Sequence, residues 1–227
     1  MPRRGKGGFF TVPYEDAAKL LDEVGEHGRV LLPEVRALAA EYQDLIGLAW
    51  ALWRWTGDPA EVRPTLEKVL ELAGKDHRRR TPLYPGGPAI ALAEEFGDSS
   101  LAPLLVPFLA DSTSRTRVPA ARAIWRLTGD ADGLVGPLLK EVTGRPPGFR
   151  WAEAFELLTE MGPAAAEARS ELRAVIGHPH SPFVLDFDAG RNEALGHRDD
   201  RFLSAARAAL AATSPEAPAG GAAPGRS

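Results

Sequence analysis

The chain contains no cysteine, which excludes disulfide staples, thiolate metal sites and a cysteine nucleophile while leaving the redox compartment open. It also lacks a long apolar run. No stretch approaches the ~18 consecutive apolar residues of a membrane-spanning helix. The opening "MPRRGKGGFFTVPYEDAAKL" has basic residues but no apolar stretch of signal-peptide length before acidic residues arrive. A cytoplasmic protein with no membrane partner is expected. A basic excess is missing too: 27 Lys and Arg face 31 Asp and Glu, for a net charge of −4. Nothing global therefore draws the molecule onto nucleic acid or anionic lipid.

What is present suffices for a packed core. Hydrophobic residues make up 44% of 227 residues and charged residues 26%, which is ordinary globular material. Within it the chain repeats itself. Residues 51–58 read "ALWRWTGD" and residues 123–130 read "AIWRLTGD". Anchoring on the glycine of "TGD" adds Gly25, Gly97 and Gly162 to Gly57 and Gly129, at intervals of 32–33 residues apart from a longer step of 40 between Gly57 and Gly97. This is the period of a two-helix repeat.

Equivalent positions share chemistry. Eight residues before each glycine stand Ala17, Ala49, Ala89, Ala121 and Ala154; five before stand Leu20, Leu52, Leu92, Ile124 and Leu157. Four before come Leu21, Trp53, Ala93, Trp125 and Leu158, and one before come Val24, Thr56, Phe96, Thr128 and Met161. These offsets fall on one face of an α-helix. The alternate position three before the glycine is Asp22, Arg54, Glu94, Arg126 or Glu156, a polar face. The recurrent alanine predicts a close helix crossing. The glycine is expected to end the first helix in a left-handed conformation. Asp58, Asp98 and Asp130 are then expected to start the second helix as N-caps, with Pro59 and Pro163 suiting its first turn. Interior prolines at 103, 107 and 137 should bend or shorten some second helices.

On these residues, over roughly 13–176, the chain resembles the short HEAT-like helical repeats of the phycobilisome-lyase class of bacterial proteins. The resemblance implies an all-α fold, a right-handed α-α superhelix of about five helical hairpins, and "DRFLSAARAALAAT" then reads as a terminal capping helix. The domain expectation is a flexible arm over 1–12, the solenoid over 13–213 and a disordered tail over 214–227. Such repeats serve scaffolds, inhibitors and a few enzymes alike, so the resemblance specifies architecture and leaves activity open.

Two connections are longer than helix–helix turns need, "GKDHRRRTPLYPGGP" at 74–88 and "GHPHSPFVLDFDAGRNEALGHRDD" at 177–200. Insertions in solenoids gather on one face, often the binding face. The connections carry Arg78, Arg79, Arg80, Arg115, Arg117, Arg145 and Arg150. Stacked along one edge, these would form a basic ridge able to take phosphate or acidic peptide; alternatively, arginines near helix ends simply meet exposed carbonyls. Phe183 and Phe187 in the late loop either seal the end of the array or await a partner.

Other chemistries are weakly represented. His178, His180 and His197 with nearby aspartates match no trusted ligand spacing. Deoxyhypusine hydroxylases of the repeat class carry His-Glu pairs for iron, and no His-Glu dipeptide occurs here. There is no GxSxG, and "YPGGP" lacks the lysine and hydroxyl of a phosphate loop. Some bacterial glycosylases for alkylated DNA bases are HEAT-like solenoids using Trp, Asp and Arg, but the best aligned tryptophans here, Trp53 and Trp125, fall on the face expected to be buried, while Trp50 and Trp55 lie off it, either exposed or in contact with the neighbouring repeat. The sequence reads as a non-catalytic protein-binding module or scaffold, regulatory or immunity-type, with no cofactor or metal and with another protein as partner. A mixed-charge strip on the second helices, including Arg36, Arg63, Glu67, Glu71, Lys140, Glu141, Arg169 and Arg173, suits such a partner. The alternative is a nucleic-acid-binding protein using the arginine edge.

Overall fold

A computed structural model of the chain describes residues 24–25, 27–41, 46–75, 86–111, 114–144, 146–178 and 192–215. Among them there is no β-strand, and the fold is all-α. The chain divides into two compact units, Met1–Phe96 and Gly97–Ser227. The division falls at Gly97.

The first unit contains α1 (Leu32–Glu41), α2 (Ile46–Thr56), α3 (Pro59–Lys75) and α4 (Gly86–Phe96). Helix α2 packs against α1, α3 and α4, so it is covered on several sides at once. Ala49, Trp50, Ala51, Leu52 and Trp55 are accordingly all buried. Helix α3 packs on α2 by burying Val62, Leu66, Val69, Leu70 and Ala73, a spacing of three and four that repeats over about three turns.

The second unit opens with a broken helix. A 3-10 turn (Ser99–Leu101), the short α5 (Ala102–Leu105) and a second 3-10 turn (Val106–Ala110) follow one another. Pro103 and Pro107 each remove a backbone donor, and the helix is interrupted where expected. Then come α6 (Ser114–Thr128), α7 (Val135–Thr143), α8 (Trp151–Met161), a 3-10 stretch (Gly162–Ala168), α9 (Arg169–Ile176) and α10 (Asn192–Ala212). Helix α10 packs on α8 and α9 and buries Phe202, Ala206 and Ala209. Phe202 meets Trp151 and Phe155 edge-on at 5.3 and 5.0 Å between ring centroids, a favourable aromatic geometry.

The five glycines that anchor the sequence pattern share one backbone state. Gly25, Gly57, Gly97, Gly129 and Gly162 have φ of 48°, 64°, 75°, 69° and 56°. Only one other described glycine, Gly133 at 70°, has a positive φ. Side chains resist this region, which is why glycine recurs at the bend. After the bend, Asp58 Oδ1 accepts from the Ala60 N–H at 2.9 Å, Asp98 Oδ1 from Ser100 at 2.8 Å and Asp130 Oδ1 from Asp132 at 3.0 Å. Asp58 and Asp98 thus start the elements that follow them as expected, whereas Asp130 closes a turn at 132–134 and the next helix begins only at Val135, with Leu134 at its N-cap.

Ala49, Ala89, Ala121 and Ala154 are each 0% exposed; Ala17 lies outside the described residues. Of the positions one before the glycine, Met161 is buried as expected, 3% exposed, but the two threonines depart from expectation. Thr56 and Thr128 donate their hydroxyls to the carbonyls of Leu52 and Ile124, both at 2.8 Å, and accept from the N–H groups of Asp58 and Asp130. They stitch the bend instead of filling the core.

Candidate functional site

The tryptophans depart from the sequence expectation at the aligned pair, Trp53 and Trp125, while Trp50 contacts the neighbouring helix, donating its indole N–H to the Pro88 carbonyl at 3.3 Å. Trp50 and Trp55 are buried, 4% and 7% exposed, whereas Trp53 and Trp125 are only half-buried. The position four before the glycine sits at the rim of the buried arc, facing the first helix of the following hairpin. There the indole of Trp53 meets Phe96 at 5.0 Å between ring centroids in a tilted arrangement. Trp53 Nε1 donates to Glu95 Oε1 at 3.1 Å and Trp125 Nε1 to Glu160 Oε1 at 3.2 Å. The adjacent arginines reach the same carboxylates, Arg54 to Glu95 at 3.1 Å and Arg126 to Glu160 at 3.8 Å. Glu95 and Glu160 both stand two residues before their own repeat glycine, so the same Trp-Arg/Glu clasp is used once in each unit.

Of the expected basic ridge, Arg78, Arg79, Arg80 and Arg145 lie outside the described residues, as do Phe183 and Phe187. Arg115, Arg117 and Arg150 are described, and the structure brings the last two together around one buried acid. Glu141, in the last turn of α7, is 0% exposed. It turns inward because two donors await it: Arg117 Nη2 at 2.7 Å from Oε2 and the Arg150 N–H at 2.7 Å from Oε1. This removes Glu141 from the mixed-charge surface strip expected of the second helices. A Cβ on Gly148 would occupy the same place as the Glu141 carboxylate, so glycine is required there for close approach. The Gly148 N–H also donates to the Glu141 carbonyl at 2.7 Å.

The neighbouring connection is tied down similarly. Arg117 Nη1 donates to the Asp111 carbonyl at 3.0 Å, and the Thr116 hydroxyl donates to Asp111 Oδ2. Asp111 and Thr116 are both 3% exposed. Arg150 Nη1 pairs with Glu153 Oε2 at 2.6 Å, and Arg122 approaches the same carboxylate at 3.7 Å. Arg117 and Arg150 are therefore neutralised within the fold, while Arg115 is exposed.

One residue of this edge has no counterpart among the sequence expectations. Phe149, between Gly148 and Arg150, is 85% exposed, the most exposed large apolar side chain among the described residues. "PPGF" carries no periodicity, so no pattern marks it; the flanking Pro-Pro-Gly turn is the available signal.

In the first unit, Arg36 on α1 clasps Glu61 on α3 through Nε at 2.8 Å and Nη2 at 2.7 Å. Hydrogen bonding by the guanidinium holds the Glu61 carboxyl below its ordinary value, and the same bond raises Arg36. An open cleft beside the pair is lined by Ala39, Ala40, Leu52, Pro64 and Thr65. Of the histidines and aspartates weighed as metal ligands, His178 and His197 are exposed, and His180, Asp186 and Asp188 lie outside the described residues. No described helix is long and apolar enough to cross a membrane.

No family model, curated protein or solved structure matches the chain.

Proposed function

We propose that the chain is a bacterial HEAT-like array of helical hairpins, wound as a right-handed superhelix, that works in the cytoplasm as a non-catalytic binding module for another protein, as a regulatory scaffold or an immunity-type inhibitor. The observation that carries this reading is the state of the described edge. Its basic side chains Arg117 and Arg150 are consumed by Glu141 and Glu153, while an apolar ring, Phe149, stands in solvent beside them. A duplex-binding groove needs a row of unneutralised cations, because affinity for the phosphate backbone grows with each counterion released. Among the described residues, Arg117 and Arg150 paired inward with an aromatic turned outward beside them suit a protein surface instead.

Two assays separate the readings. Covalent capture in the native host, using the whole chain as bait, is expected to return a reproducible protein partner that survives nuclease treatment. Retention of duplex DNA at low salt, lost steeply on adding salt and abolished by replacing Arg78, Arg79 and Arg80 together, would establish the nucleic-acid alternative and overturn the proposal.

A further inference from the structure

We infer that the cleft between α1 and α3 binds a primary aliphatic amine, its ammonium held by Glu61 and Thr65 and its alkyl stem laid against Leu52. The inference goes beyond the protein-binding reading and does not depend on it.

The cleft follows from how the helices meet. Helices α1 and α3 each pack on α2, and what joins them to one another is the Arg36–Glu61 ion pair. Beside that bridge a space of about 420 Å³ stays open, within the range of small-molecule sites. Arg36, Ala39 and Ala40 line it from α1, and Glu61, Pro64 and Thr65 from α3. Both sets are spaced by three and four, so each is one face of its helix. Two alanines and a proline are too short to close the gap, and Leu52, 2% exposed, lines it from α2. The walls are apolar.

The observation that makes this a site is the state of Thr65. Helical threonines in this fold spend their hydroxyl on the carbonyl four residues back: Thr56, Thr128, Thr143 and Thr159 each do so at 2.8 Å. Thr65 does not. It is 4% exposed, yet its hydroxyl has no partner among the described residues. Not being sealed in the interior, the hydroxyl opens on the cleft that Thr65 lines. A polar group set into an apolar wall without a protein partner is the kind that fixes a ligand's orientation.

Charge decides which ligand. Thr65 follows Glu61 by four residues, so hydroxyl and carboxylate are neighbours on one helix face. Glu61 accepts two hydrogen bonds, both from Arg36, and a carboxylate has lone-pair sites for about four. Arg36 is already committed to Glu61, and the charge of Asp58 acts on it as well. One base therefore stands against two acids. An ammonium, all donor and no acceptor, fits this set of open acceptors, whereas a carboxylate would meet the uncancelled negative charge.

The test uses the whole chain and three probes of equal length, hexylamine, hexanol and hexanoate, titrated by saturation-transfer NMR. Hexylamine is expected to bind about tenfold more tightly than hexanol, the scale of one charge-assisted contact, and hexanoate is expected not to bind. Ala40→Leu, which fills the cleft from an exposed position, should abolish hexylamine binding. Ala37→Leu, exposed on α1 but outside the lining, should leave it unchanged, and unaltered circular dichroism controls for folding in both. Thr65→Val keeps the shape and removes the hydroxyl. It should weaken hexylamine severalfold without lowering the melting temperature, because that hydroxyl bonds nothing in the fold. Competition by Nα-acetyl-lysine methylamide separates the sources of the amine: displacement of hexylamine assigns the cleft to a lysine side chain, and no displacement assigns it to a free small amine. Failure of hexylamine to bind the unaltered protein, equal binding of hexanoate, or indifference to Ala40→Leu overturns the inference.

Discussion

Cutting Arg117 back to methionine strands the Glu141 carboxylate in a site from which water is excluded. The pair is 2.7 Å apart with side chains 11% and 0% exposed. Removing one partner of a buried ion pair costs about 3–5 kcal/mol, chiefly because the remaining charge is left uncompensated. The low end applies here, since Arg117 keeps an edge in solvent and the Arg150 N–H still donates to Glu141. A loss of about 3 kcal/mol with a urea slope of about 2–3 kcal/mol per molar moves the unfolding midpoint down by roughly 1 M. Tryptophan fluorescence and far-ultraviolet circular dichroism should be followed together, because coincident transitions are what license the free-energy reading. Replacing both residues, Arg117→Met with Glu141→Leu, should recover part of the loss, as no lone charge then stays buried. A midpoint for Arg117→Met within about 0.2 M of the parent, the behaviour of an ordinary surface site, would refute the claim that this acid organises residues 146–150.

The interlocking tryptophans and the Arg36–Glu61 clasp give further expectations. Trp125→Phe keeps the ring but loses the indole N–H to Glu160 and should cost about 1 kcal/mol; combining it with Glu160→Gln should cost less than the sum of the single changes, and strict additivity in thermal melts would count against the clasp. Glu61 has its carboxyl lowered from an ordinary 4.5 by the hydrogen bonds from Arg36, so its contribution is complete above that value and disappears as pH falls through the lowered one. The melting-temperature advantage of the parent over Glu61→Gln should therefore hold at neutral pH and shrink in acid; an advantage that grows in acid would mean the sign is wrong.

Much of the hairpin grammar is legible from letters alone, because it is local. A glycine at φ near +60°, an aspartate two residues ahead of a free N–H and an alanine at a helix crossing are each dictated within one turn of chain. The breaks at Pro103 and Pro107 are readable for the same reason. The tryptophans defeat the pattern because a single-face reading assumes a helix buried on one side. Helix α2 is packed by three others, which widens the buried arc to include Trp50 and Trp55 and pushes Trp53 to its rim. Glu141 is equally opaque: a glutamate beside a lysine near a helix end reads as surface, and only tertiary contact with Arg117 and Arg150 turns it inward. Phe149 stays hidden because exposure is a property of the folded edge, and nothing in "GRPPGFR" records it.

The account stands on the recurring glycine bend, and alanine substitution tests it with a change of sign. Gly57 and Gly129 have φ of +64° and +69°, and a Cβ added at either would meet no atom within 4 Å; the helical Gly47 has equally open surroundings without a positive φ. Space is the same at all three, so backbone conformation decides. Gly57→Ala and Gly129→Ala should each lower stability by about 1–2 kcal/mol, while Gly47→Ala should raise it by about 0.5–1 kcal/mol. Three shifts in the same direction would contradict the bend.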